Sequence, residues 1–302
     1  MKNLIIGVLV IALLGAGYYF YSNNPKSDQP VGEKSASETT PPNMPTTTTP
    51  TDAKPSDHQE LGASVEGRDI DSYTFGTGDK KVVFVGGIHG GYGWSTALVA
   101  YELINYLKAN PNAVPQNVQV TVIPVLNPDG LAKVVAKEGE FTAADVNSSK
   151  ELQIAGRYNG NKVDLNRNFD CAWKATGKWQ NTTVNGGSAP FSEPESKAFK
   201  TFIESYRPNA VVGWYSSAGG VYSSKCGGSV MSETATLNQV YAKASGYPSH
   251  ETFDSYEVTG DMMDWLAKEK IAAVSVLLTS HEATEWQKNK AGIEAVIQHI
   301  AK

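Results

Sequence analysis

The sequence predicts an α/β domain built on a mixed, largely parallel central sheet with helices on both faces. Apolar runs of strand length alternate along the chain with segments of helical period. Several of those runs are apolar at nearly every position, as strands covered on both faces require. Ile70 to Phe75 and Lys81 to Ile88 read as the first two strands, the second nearly continuous in apolar residues. Ser95 to Lys108 reads as a helix, because Leu98, Tyr101 and Leu107 follow the helical period and Asn110-Pro111 stops it. Val118 to Val125 is the next strand and runs into the turn Asn127-Pro128-Asp129-Gly130. Ser192-x-x-Glu195 has the pattern of a capping box, with Pro194 in the first turn of a helix reaching Tyr206. Ala210 to Tyr215 is a further buried strand. Helices near Glu233 to Ala244 and Asp261 to Lys268 lead to the strand Ala273 to Leu278. The last helix, Trp286 to Ile300, places Ile293, Val296, Ile297 and Ile300 on one face.

The chain has 302 residues and divides by composition into three parts. After Met1-Lys2-Asn3 it is apolar from Leu4 to Phe20, which as a helix spans roughly 26 Å, near the lower limit for crossing a bilayer. Residues 1–21 are therefore expected to form a signal-anchor, with Lys2 inside and Tyr18, Tyr19, Phe20 and Tyr21 as an interfacial cluster. The rival is a signal peptide cleaved near Gly15 and Gly17, which would make the protein secreted. Residues 22–60 are rich in Pro, Thr and Ser and read as a disordered spacer, His58 included. Residues 61–302 suit one domain, expected to be an extracytoplasmic monomer in the cell envelope. A net charge of −5 without a basic stripe argues against nucleic acid as a partner. The two cysteines, Cys171 and Cys226, lie beyond the membrane in this topology and are expected to form a disulfide. They lack the Cys-x-x-Cys spacing of a zinc-thiolate site.

Three motifs carry the chemistry. Gly86-Gly87-Ile88-His89-Gly90-Gly91 puts a lone histidine at the end of an apolar strand. Asn127-Pro128-Asp129-Gly130 follows the next strand. Val163-Asp164-Leu165-Asn166-Arg167-Asn168-Phe169 presents an amide and a guanidinium fork, a geometry suited to gripping a carboxylate. In this order, and with Arg157 between the second and third, they closely resemble the zinc metallocarboxypeptidases of the carboxypeptidase A-like family, from about Gly62 to the C-terminus. The resemblance implies an enzyme that hydrolyses C-terminal peptide bonds with zinc. It also implies that Asn166 and Arg167 hold the substrate's terminal carboxylate and that Arg157 stabilises the oxyanion.

The same resemblance shows what is missing. The family holds zinc with two histidines and a glutamate and uses a second glutamate as base. Here His89 is the one retained ligand. Gly93 stands where the glutamate is expected, Tyr215 where the second histidine is expected, and Leu277 at the position of the base. A phenol ionises near pH 10, and leucine can neither take nor return a proton. Losing two ligands removes roughly 5 kcal/mol of zinc affinity, about 10³–10⁴-fold. Damage confined to these positions points to a pseudoenzyme or to deliberate inactivation. Three readings follow: a membrane-tethered protein that has lost zinc chemistry but binds the C-termini of peptides or of peptidoglycan stem peptides; an active zinc carboxypeptidase with an unorthodox ligand set, drawing on His281 with His89; and an interaction or scaffold module. His250 and His299 read as surface residues. No residue could be matched to the tyrosine that many relatives place over the substrate, nor to the determinant of side-chain preference.

Overall fold

The computed structural model describes residues 57–302, so the expected anchor at 1–21 and most of the expected spacer at 22–60 lie outside the described residues. None of the described helices is long and apolar enough to cross a membrane. The first strand, β1 (Asp57–Ala63), begins inside the segment read as spacer and pairs antiparallel with β2 (Asp69–Phe75). His58 therefore belongs to the sheet: its ring stacks on Tyr73 at 4.9 Å and its Nε2 lies 2.8 Å from Asp71. Its polar surroundings concealed a strand that is exposed along most of its length.

The remaining strands are β3 (Lys80–Val85), β4 (Val118–Ile123), β7 (Ala210–Ser216), β8 (Gly220–Ser223), β9 (Ser249–His250) and β10 (Ala272–Leu278), with β5 (Thr176–Trp179) and β6 (Thr182–Asn185) forming a separate hairpin. The main sheet has eight strands in the order β1-β2-β4-β3-β7-β10-β8-β9. Its central four strands, β4, β3, β7 and β10, run parallel. Their sequences are the continuous apolar runs, and Val82, Val83, Val211, Val212, Val274 and Val276 are completely buried. The outer pairs β2–β4 and β10–β8 are antiparallel, which makes the sheet mixed.

Helices α1 (Trp94–Ala109), α5 (Ser232–Ser245) and α7 (Trp286–Ile300) contribute to one apolar layer, where Leu103, Leu107, Tyr241, Ile293 and Val296 meet the side chains of Phe84, Val212 and Trp214. Helices α4 (Pro194–Tyr206) and α6 (Met262–Lys268) belong to the other, where Trp265 packs among Phe169, Phe191 and Phe199. Two short helices, α2 (Pro128–Ala132) and α3 (Lys150–Ala155), lie in the loops above the sheet. Strand β3 stops three residues earlier than the apolar run suggested, because Gly87 at φ +62° turns the chain away.

The expected capping box of α4 does not form. Glu193 is the N-cap and makes no side-chain capping bond. Ser192 Oγ instead donates to Glu193 Oε1, and Glu195 accepts from Asn159 Nδ2 and the Val65 amide. Tertiary partners have outcompeted the local motif.

Cys171 and Cys226 are joined across 55 residues and tie the loop after the Asn-Arg motif to the loop after β8. A loop of that length removes about 4 kcal/mol of unfolded-chain entropy when closed. Reduction with dithiothreitol should therefore lower the unfolding free energy by about 2–4 kcal/mol in a denaturant titration. An unchanged midpoint would mean that the bridge constrains nothing the fold does not already hold.

Candidate functional site

The site is assembled from loops at the carboxyl ends of the parallel strands, where open α/β sheets place their ligands. After β3, the segment following β4 donates amide hydrogens to Gly86 and Gly87 at 3.2 and 3.0 Å and fixes the chain that carries His89. Asn127 caps α2 by accepting from the Gly130 amide at 2.8 Å, and its Nδ2 donates to the Arg157 carbonyl at 3.3 Å. Asp164 caps the single 3₁₀ turn Leu165–Arg167, accepting from the Asn166 amide. Phe169 anchors the end of this turn in the aromatic core. Gly260, at φ +64°, lies so close that a Cβ there would stand 2.2 Å from the Arg167 carbonyl oxygen, so only glycine fits.

Asp164 is the electrostatic centre. Arg157 Nε donates to its Oδ2 at 2.9 Å, Nη2 lies 2.8 Å from the same oxygen as an ion pair, and His89 Nε2 lies 3.6 Å from its Oδ1, beyond hydrogen-bonding distance. All three side chains are buried. Burial works against the Asp164 charge, but Arg157, then His89 and Arg167, outweigh it and hold the carboxyl far below the usual range. Burial and the positive field of Arg157 push His89 down to about 4 against the opposing pull of Asp164, so the ring is neutral at pH 7. Arg157 is also flanked by Trp179 of the hairpin, 4.6 Å away, and by Tyr92 at 5.6 Å.

Asn166 and Arg167 lie beside this network. Asn166 Nδ2 donates to Asp261 Oδ2 at 2.7 Å, while its Oδ1 accepts from the Met262 amide and from the Tyr215 hydroxyl. Arg167 Nε and Nη2 donate to the Lys178 carbonyl, and Nη1 donates to the Asn166 carbonyl. A guanidinium has five N–H groups, so these three bonds leave two for a ligand.

His89, Arg157, Asn166, Arg167, Tyr215, Leu277 and Cys171 all line one cavity of about 500 Å³. The structure thus brings the predicted residues together. Cys226 braces the wall through its bond to Cys171. Lining residues that the sequence did not single out include Trp179, Tyr256, Asp261, Asp264 and Ser216. Asp261 stood only as the start of an expected helix, which it caps in the structure by accepting from the Met263 and Asp264 amides; nothing local marks the others. Burial raises Asp261 and lifts Asp264 to about 7, Asp264 being raised further by its negative neighbour Asp261.

The donors around His89 do not fit a zinc ion. Gly93 supplies no side chain. Tyr215 is buried, its hydroxyl donates to Asn166, and burial with the charges of Asp261 and Asp264 pushes its ionisation well above 10, so it stays a neutral phenol. Leu277 is paired in register with Tyr215 on the adjacent parallel strand and presents only an alkyl group. His281 does not turn toward His89; its Nδ1 lies 2.8 Å from Ser216 Oγ and its ring tilts over Tyr92. Among the described residues no group of three or more His, Cys, Asp or Glu side chains could hold a metal.

The family described as "Zinc carboxypeptidase" matches residues 53–298. Carboxypeptidase B of Astacus astacus is 27% identical over 161 residues, covering 51% of this chain and 51% of that relative, so the match spans about half the length of the relative. Among solved structures, bovine thrombin-activatable fibrinolysis inhibitor in complex with tick carboxypeptidase inhibitor has a TM-score of 0.64 at 16% identity, covering 82% of this chain and 90% of that one. The murein-tripeptide amidase MpaA from Escherichia coli O157 has a TM-score of 0.55 at 19% identity, covering 81% and 92%. These structural matches establish the fold.

Asp264 carries a testable pH signature. A carboxyl whose folded pKa lies above its unfolded value binds more protons in the fold, so its contribution to stability is present at low pH and is lost as pH rises from about 4 to about 7. Asp264→Asn keeps an acceptor for the Lys225 amide but cannot ionise. The variant should gain stability over the parent at pH 8 relative to pH 4 in urea unfolding. A difference that does not change with pH would refute the assignment.

Proposed function

The chain belongs to the zinc carboxypeptidase family, and we propose that it is a member that has exchanged zinc-dependent hydrolysis for recognition of free C-terminal carboxylates. The observation that carries this reading is the contrast within one cavity: Arg157, Asn166 and Arg167 are positioned and hydrogen-bonded, while the positions expected to bind zinc and activate water are glycine, phenol and alkyl. Asn166 keeps one amide hydrogen free and Arg167 keeps two N–H groups, enough to hold both oxygens of a carboxylate. Arg157, already paired with Asp164, adds a positive wall where an active relative would meet developing oxyanion charge.

The proposed ligands are peptides with a free C-terminus, including peptidoglycan stem peptides. The fold shared with a murein-tripeptide amidase supports the latter, as does the proposed placement of the domain outside the membrane on residues 1–21. An alternative member that hydrolyses peptides with an unorthodox ligand set would need donors around His89 that the described residues do not supply.

Two experiments test the reading. By calorimetry, a short peptide with a free C-terminus should bind and its C-terminally amidated form should not. Arg167→Ala should weaken binding about 10- to 100-fold, the loss of a charge-assisted pair. Equal binding of both peptide forms would overturn the proposal. The second experiment replaces Gly93→Glu, Tyr215→His and Leu277→Glu together. A Cβ at Gly93 would stand 3.4 Å from His89 Cβ, ordinary contact, so the side chain fits beside the ring. Metal analysis should then find stoichiometric zinc in the triple variant and little in the parent. Stoichiometric zinc in the parent would reject the proposal.

A further inference from the structure

The cavity wall contains a second chemical arrangement, separate from the carboxylate grip. Ser216, the last residue of β7, lines the cavity and places its Oγ 2.8 Å from His281 Nδ1. The other ring nitrogen, Nε2, lies 3.3 Å from Ser217 Oγ. In the Nε2–H tautomer the Ser216 hydroxyl donates to an unprotonated Nδ1 and Nε2–H donates to Ser217; the Nδ1–H tautomer reverses both bonds, and base catalysis at Nδ1 uses the first. The imidazole is held from its face as well, with the Tyr92 ring 4.4 Å away. A hydroxyl within hydrogen-bond reach of a base, with the base oriented by a third group, is the arrangement of an activated nucleophile.

What sets this chain apart is the space above that hydroxyl. A Cβ at position 93 would lie 3.5 Å from Ser216 Oγ, in ordinary contact, so a long side chain there would share the space beside the serine. The glutamate expected at this position would bring negative charge to it as well. Glycine leaves the oxygen open to the cavity. Arg157, which lines the same cavity with its guanidinium 5.6 Å from the Tyr92 ring, supplies positive charge to the region where an acyl oxygen would become negative.

We propose that Ser216 and His281 form a nucleophile–base pair that is acylated by small, activated carboxylic esters without a metal. Ser216 Oγ attacks the acyl carbon while its proton passes to His281 Nδ1. The bond to the leaving alcohol breaks, and the leaving oxygen takes that proton. Water then attacks the acyl-serine, gives its proton to Nδ1, and releases the carboxylic acid as the proton returns to Ser216. Burial, followed by the charges of Lys150 and Arg157, lowers the ionisation of His281 from its ordinary value against the opposing effect of Glu282, so the base is free at neutral pH. The group orienting Nε2 is a hydroxyl rather than a carboxylate, so the developing imidazolium gains little support. That restricts the chemistry to esters with good leaving groups such as phenols and excludes peptide bonds.

The test uses the full chain in excess chelator. With p-nitrophenyl acetate it should release a burst approaching one p-nitrophenolate per chain, and peptide mapping should locate the acetyl group on Ser216. A fluorophosphonate probe should label the same residue. Ser216→Ala should remove the label, and His281→Gln should slow acylation about 100-fold or more. Both variants are checked for an unchanged unfolding midpoint. The mapping on the unaltered chain decides the matter even where a variant fails to fold. A burst that maps elsewhere, no label on Ser216, or labelling at full rate in folded His281→Gln would each overturn the proposal.

Discussion

The buried pairing of Arg157 with Asp164 is the constraint on which the site depends. A carboxylate and a guanidinium removed from water are costly to keep unless each satisfies the other, and removing either partner leaves an uncompensated charge. Asp164 also caps the 3₁₀ turn that presents Asn166 and Arg167, and its second oxygen faces His89. One side chain therefore sets the position of the anion grip and the orientation of the positive wall. It needs neither a metal nor a base to do so, so this half of the cavity stands independently of the residues at 93, 215 and 277.

The central sheet was legible because parallel strands buried on both faces leave an unbroken apolar trace, and the helices because their apolar stripes and stop signals agree. Elements without that trace escaped. β1 is polar and lies at the edge, β5, β6 and β8 have four residues each, and α3 leaves Leu152 and Ile154 largely exposed. Length and burial, rather than propensity, decide whether an element can be read from the chain.

The site divided along similar lines. His89, Arg157, Asn166 and Arg167 were visible as motif residues, and the structure gathers them around one cavity. Trp179, Tyr256, Asp261 and Asp264 reach it from a hairpin, a loop and a helix start whose approach depends on long-range packing. The hairpin is the clearest case. It gave no strand signal, yet it supplies the Lys178 carbonyl that holds Arg167 and the indole that covers Arg157. The capping box at Ser192 failed for the reverse reason: a correct local pattern lost its side chains to partners distant in sequence.

The tyrosine at 215 has an effect on the carboxylate grip itself. Its hydroxyl and the Met262 amide both donate to Asn166 Oδ1, while Asp261 accepts from Nδ2, so the carboxamide cannot rotate end for end without facing donor with donor and acceptor with acceptor. The remaining N–H is thus aimed before any anion arrives, and little rotameric freedom is left to surrender on association. Tyr215 thereby gives the anion grip a stiffer latch.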